Sequence, residues 1–248
     1  MGKNVANELY ELSQNNKYNN FLDLLNDISQ KTSINKSMLD ILIKLNYFKD
    51  FANIGKILKF VQYYNLLQGK KSPKKKTIIE NIKVISIIEK NSVPTKATYT
   101  KFNSMECLKE IWSVLPNKNI SFKENLINNK ELLGYINYKN NKLNKRYVFV
   151  SEINLKYTPV INTYCLNNSS TCKCKISKRI WNNQPIQEND IIYIDSMKKK
   201  FGCKKIGEKT DKRGNIKPIF EEDKTKLVWW IEKYSIINNM EEVLNNIE

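Results

Sequence analysis

Cysteine is the residue type in this sequence that could serve both as nucleophile and as soft metal ligand. It stands at Cys107, Cys165, Cys172, Cys174 and Cys203. The last four are separated by 6, 1 and 28 residues, a pattern without the Cys-x-x-Cys knuckles of a zinc site. Cys172 and Cys174 read better as i and i+2 neighbours on one face of a strand. An odd number of thiols fits reduced cysteine rather than a disulfide framework. Histidine is absent, which excludes Ser-His and Cys-His pairs, HExxH zinc sites and an imidazole base. No catalytic residue, metal site or cofactor is therefore expected. The remaining chemistry is positive charge beside aromatic rings: 42 Lys and Arg stand against 25 Asp and Glu, a net charge of +17.

Such a chain seeks a polyanion, and nucleic acid is the expected partner. Lys173 and Lys175 alternate with Cys172 and Cys174, so one face of that strand is basic and the other apolar. Lys178, Arg179 and Trp181 follow, then Lys198, Lys199, Lys200 and Phe201 repeat the basic-plus-aromatic pattern. A basic groove with stacking platforms is what sequence-tolerant binding of single strands requires, because every base offers a π-face. Trp181 is the leading platform, with plugging the end of a barrel as its alternative role. Trp229 and Trp230 are adjacent in a strand and face opposite ways. The densest basic run, Lys70, Lys71, Lys74, Lys75 and Lys76, is either phosphate-tracking or simply solvated. Gly2 and Lys3 could offer backbone N–H groups at a helix start to a phosphate.

The elements that must carry these residues fall into four stretches. Residues 1–68 (net +2) show apolar residues at three- to four-residue spacing and form a helical module. Residues 69–145 (net +10) begin with GKKSPKKK, which cannot build a core element, and continue as a lysine-rich linker with helices. Residues 146–237 (net +8) switch to period two, with strands expected at 147–153, 159–166, 172–179, 191–197 and 227–237. Residues 167–170 form a hairpin turn, and residues 204–223 a long polar connection. Residues 238–248 (net −3) form an acidic tail. The expected fold class is α+β, ending in a five-stranded OB-like barrel. No run approaches the roughly 18 apolar residues of a membrane span, and the first residues lack a signal-type apolar stretch. A cytoplasmic chain without a membrane partner is expected.

Several stretches carry a resemblance. Residues 1–12 (MGKNVANELYEL) resemble the second half of a helix-hairpin-helix motif. Residues 34–51 (INKSMLDILIKLNYFKDF) resemble the segment that follows that motif in the α subunit of bacterial and phage DNA polymerase III, the family C replicative polymerases. The phrase at 130–135 (KELLGY) resembles the one preceding that polymerase's OB domain. Residues 157–165, 178–190 and Trp229-Trp230 resemble the OB-like region of phage and Firmicute members. The resemblance implies a DNA-binding C-terminal portion of such a subunit, phage origin included. It would hold single-stranded or template DNA beside a polymerase core encoded separately. The family's palm needs an Asp-x-Asp pair for Mg²⁺, and this sequence has none, so the chain is not catalytic alone. The family also carries a sliding-clamp peptide, for which residues 62–67 (QYYNLL) are the nearest match, although their helical periodicity points to core. Two alternatives stand beside this reading: a free-standing single-stranded-DNA-binding OB protein, and an RNA- or ribosome-associated basic protein.

Overall fold

The computed structural model describes residues 3–15, 17–78, 81–211 and 214–247. Gly2, expected at a phosphate-facing helix start, lies outside them. The chain is mixed α+β and divides into two compact units, residues 1–120 and 121–248. No helix among the described residues is long and apolar enough to cross a membrane.

The first unit contains α1 (Lys3–Asn15), α2 (Phe21–Lys31), α3 (Lys36–Lys44), α4 (Ile54–Leu67), α5 (Ile82–Lys90) and α6 (Ser104–Val114). The abundant asparagine has a structural use here. Asn20, Asn35, Asn81 and Asn103 cap α2, α3, α5 and α6, each side chain accepting from backbone N–H groups of the first turn that have no partner within the helix. Phe21, Phe60, Ile88, Cys107 and Ile111 share one core. Trp112 stacks on Phe21 with ring centroids 5.5 Å apart, and the Lys56 ammonium sits 4.4 Å from the Trp112 ring centroid.

The helices expected within 69–145 are present, but from 81 to 120 they belong to the core of the first unit and do not act as a linker. The basic loop interrupts the chain, but the apolar stripes of α5 and α6 must be buried, and the core of α2–α4 covers them. Between α5 and α6 lies a short hairpin, β1 (Val93–Pro94) and β2 (Tyr99–Thr100), too brief for its pattern to show in the sequence. The clamp-like segment at 62–67 lies within α4, where Tyr63 and Leu67 are fully buried. No partner can take up those side chains while the core is intact.

The second unit holds α7 (Phe122–Leu133), β3 (Tyr147–Asn154), β4 (Val160–Cys165), β5 (Thr171–Ile176), α8 (Lys178–Asn183), β6 (Ile191–Thr210), β7 (Ile216–Ile236) and α9 (Met240–Asn245). The five strands β3–β7 hydrogen-bond in the order β3-β4-β5-β7-β6, and β6 pairs back to β3, closing the ring of pairings. All pairings are antiparallel except that of β5 with β7. The interior is filled by Val150, Ile161, Cys174, Ile176, Ile192 and Ile231. A second cluster, with Leu126, Phe149, Tyr164 and Met240, lies under α7 and α9. Residues 238–247 are thus no free tail: α9 buries Met240 beside Leu126.

Two expectations about strands are corrected. The third strand ends at Ile176, where the Ser177 side chain caps α8, so Lys178, Arg179 and Trp181 lie on a helix. Residues 204–210 and 216–223 are not a loose connection. They extend β6 and β7 into a ribbon paired out to Thr210↔Ile216, with bulges near Phe201 and Lys205. Cross-strand charges such as Lys204 with Glu221 stabilise the ribbon, and Gly214 takes a positive φ in its turn.

Candidate nucleic-acid interface

Strand alternation sorts the side chains of the sheet. Cys174, Ile176 and Ile231 point inward and are buried, and Trp229 packs partly against the same core. Their neighbours point outward. Register aligns Val160 of β4 with Lys175 of β5, Lys175 with Trp230 of β7, and Trp230 with Lys198 of β6. The outer surface therefore carries a transverse row Val160–Lys175–Trp230–Lys198. A second pair of rungs sets Asn162 beside Lys173 and Val228 beside Lys200.

Lysine ammoniums surround the half-buried Trp230 ring: Lys200 lies 4.9 Å and Lys175 5.6 Å from its centroid. Lys199 sits 4.8 Å from the centroid of Trp229, on the opposite face of the ribbon. The loop joining β3 to β4 adds Lys156 and the exposed Tyr157, paired by a cation–π contact of 5.6 Å. Tyr157, Lys173 and Lys175 line one shallow cleft of about 280 Å³ with Lys156 and Val160. A neighbouring cleft of about 450 Å³ opens where β5 and β7 part beyond the Cys174↔Trp229 pair, between Lys173 and Lys226. Two carboxylates edge this surface: Glu152 opposite Asn162, and Glu232, which pairs with Lys198 and lies 3.8 Å from Lys200. The surface remains basic, with Lys156, Lys173, Lys175, Lys198 and Lys200 against those two.

The structure thus brings together Lys173, Lys175, Lys198 and Lys200. Lys199 and Phe201 share the other face of the ribbon, and Phe201 is 42% exposed beside its register partner Leu227. Lys178 and Arg179 are exposed on α8, in a separate element from the row. Trp181 is the chief correction. Its ring is 9% exposed within the interior cluster, so no base can lie on it. Lys3, Lys74, Lys75 and Lys76 belong to the first unit. Sequence reasoning missed Lys156 and Tyr157, although Lys-Tyr ahead of Pro159 is the same basic-aromatic signal in a turn.

Cysteine has no role at this surface that the geometry supports. Burial, and then the adjacent Cys172, push the Cys174 thiol up to about 12, and its Sγ lies 3.6 Å from that of Cys172. Among the described residues no three His, Cys, Asp or Glu side chains gather as a group that could hold a metal ion. Comparison with protein-family models, curated proteins and solved structures returned no match.

Proposed function

We propose that the second unit is an OB-type module that binds single-stranded nucleic acid, with little sequence preference, along the outer face of β4, β5 and β7. The observation that carries this reading is the outward row Val160–Lys175–Trp230–Lys198, an aromatic ring set among lysines on a sheet face. The topology supports it. In OB-folds the second and third strands, with the loops between strands 1–2 and 4–5, bind oligonucleotides. Here those elements are β4, β5, residues 155–159 and the β6–β7 ribbon.

Each part has a physical task. Lys156, Lys173, Lys175, Lys198 and Lys200 neutralise phosphates and release counterions. Trp230 and Tyr157 offer π-faces on which successive bases stack. In the free protein an ammonium covers each of these rings. An arriving base takes over the ring face, and the freed lysine pairs with the phosphate of the same nucleotide. The resemblance to family C polymerase α subunits gives this grip a place: it holds template near a polymerase core supplied by another chain, and contributes no catalytic group.

The test is the salt dependence of binding to a short oligodeoxynucleotide. Five phosphate contacts imply a slope of log K against log[salt] of about −3.5, at roughly −0.7 per contact for single strands. Replacing Lys173 and Lys175 by Gln should lower its magnitude by about 1.4. A flat dependence in the wild type, or an unchanged slope in the folded double variant, contradicts the reading. Markedly tighter binding of an equal-length RNA would assign the site to RNA, where the 2′-OH is read.

A further inference from the structure

We propose that the first unit carries a second nucleic-acid site of a different kind, a lysine plate that grips the backbone of duplex DNA without touching its bases. The basic loop at 70–76 has exposed side chains on a backbone that is held in place. Its middle is laid against the β1–β2 hairpin: Lys74 forms a bridge with Thr98, the Lys75 N–H donates to the Ala97 carbonyl (2.9 Å), and the Tyr99 N–H donates to the Pro73 carbonyl (3.0 Å). Pro73 is buried beneath it, and the Thr77 hydroxyl donates to the Lys74 carbonyl (2.7 Å), closing a 3₁₀ turn over Lys75–Thr77. The lysines therefore project from backbone that is already ordered, which lowers the entropy lost on binding.

The charge around this element is lopsided. Residues 69–101 contain nine lysines and two glutamates, Glu80 and Glu89. Lys90 pairs with Glu110. Lys70, Lys71, Lys74, Lys76, Lys96 and Lys101 are exposed, and none of them makes an ion pair among the described residues. Such unneutralised charge on a fixed frame is a site for a polyanion.

The absence of a usable ring selects the ligand. Tyr99, the aromatic residue of the hairpin, is 4% exposed and lies under the Lys75 ammonium, 5.2 Å from its centroid. The plate therefore has no platform for an unstacked base and contacts phosphates alone. A DNA duplex presents about one charge per 1.7 Å of axis and keeps its bases stacked inside, so it offers phosphate alone to such a plate. This inference does not rest on the sheet face of the second unit.

The experiment uses the full chain with a 20-base-pair blunt duplex and, separately, an 8-nucleotide single strand. In the variant Lys70→Gln, Lys71→Gln, Lys74→Gln, Lys76→Gln, Lys75 is kept because it covers Tyr99. At about 0.9 per phosphate contact, losing four contacts lowers the magnitude of the duplex salt slope by about 3.6. Between 50 and 200 mM salt, wild-type affinity for duplex should then fall about 150-fold more than that of the variant. Binding of the 8-nucleotide strand should not change, and Lys96→Gln with Lys101→Gln should lower the duplex slope by about 1.8. Equal duplex slopes in wild type and both variants overturn the proposal. So does loss of binding to anionic phospholipid vesicles with duplex binding intact, which would make the plate a membrane contact. Weak binding of the single strand with a steep duplex slope would sink the second unit's reading and leave this one standing.

Discussion

Trp181→Ala separates the two roles open to that ring. The residue is 9% exposed in the interior cluster that also holds Ile176, Ile186 and Tyr234. A tryptophan buries up to roughly 200 Å², and about nine-tenths of that at about 25 cal/mol per Å² gives about 4.5 kcal/mol. Measured truncations of core tryptophan fall at about 3–5 kcal/mol, so about 4 kcal/mol is expected. With an m-value of about 2 kcal/mol per M, the urea midpoint should drop by about 2 M. The assay is urea unfolding followed by far-UV circular dichroism, because the substitution removes one of the four indoles a fluorescence assay would read. Trp181→Phe should recover much of the loss. A variant that keeps the wild-type midpoint but loses single-strand affinity would refute the assignment of Trp181 to the core and return it to the binding site.

Other outcomes follow from particular contacts. At Gly55, an added Cβ would lie 2.7 Å from the Lys118 carbonyl oxygen, so Gly55→Ala should cost about 1–3 kcal/mol by overpacking, read as a lowered urea midpoint. Burial, and then the neighbouring Glu110, push the Cys107 thiol up to about 12, matching Cys174. At pH 8 iodoacetamide should therefore label exposed Cys203 first and reach Cys107 and Cys174 only in denaturant, as mass mapping would show. Hydrogen bonds from Lys31 and then Tyr18 hold Asp27 below the usual carboxylate range, and Lys90 and then Asn91 do the same for Glu110. Folded values below the unfolded ones stabilise the protein above the unfolded pKa of about 4, and that contribution is lost as pH falls below it and through the lowered folded values. Asp27→Asn with Glu110→Gln should flatten the fall in urea midpoint between pH 5 and pH 2.

The sequence displayed some of this architecture and concealed the rest for identifiable reasons. Runs of β-branched and aromatic residues between turn residues placed β3, β4 and the start of β6 within a residue or two, although these strands bury residues on both faces, as Phe149 between Val148 and Val150 shows. The outer ribbon of β6 and β7 has no buried face, so residues 204–223 lack such runs and read as a loop. Trp181 was misplaced because strand β5 passes into α8 within two residues, and Lys178-Arg179 beside a tryptophan looks the same on a strand, a helix or a turn. The Lys173–Lys175 half of the site was legible from its alternation with cysteines. Its pairing with Trp230 was not, since Cα register between β5 and β7 depends on a parallel contact between strands some 50 residues apart. The boundary between units was hidden by the lysine run at 70–76, whose charge suggests a linker although hydrogen bonds to the β1–β2 hairpin fix it in place.

The most direct test of the central claim is the affinity for a 12-nucleotide single strand of Trp230→Ala and of Tyr157→Ala, measured by anisotropy with the urea midpoint of the same samples. Each loss of a stacking platform should weaken binding by about 1–3 kcal/mol, roughly 5- to 150-fold. Tyr157 is 75% exposed, so its variant should keep the wild-type midpoint, and the Trp230 variant should lose less than Trp181→Ala. Wild-type affinity in both folded variants would contradict the assignment of this sheet face to nucleic acid.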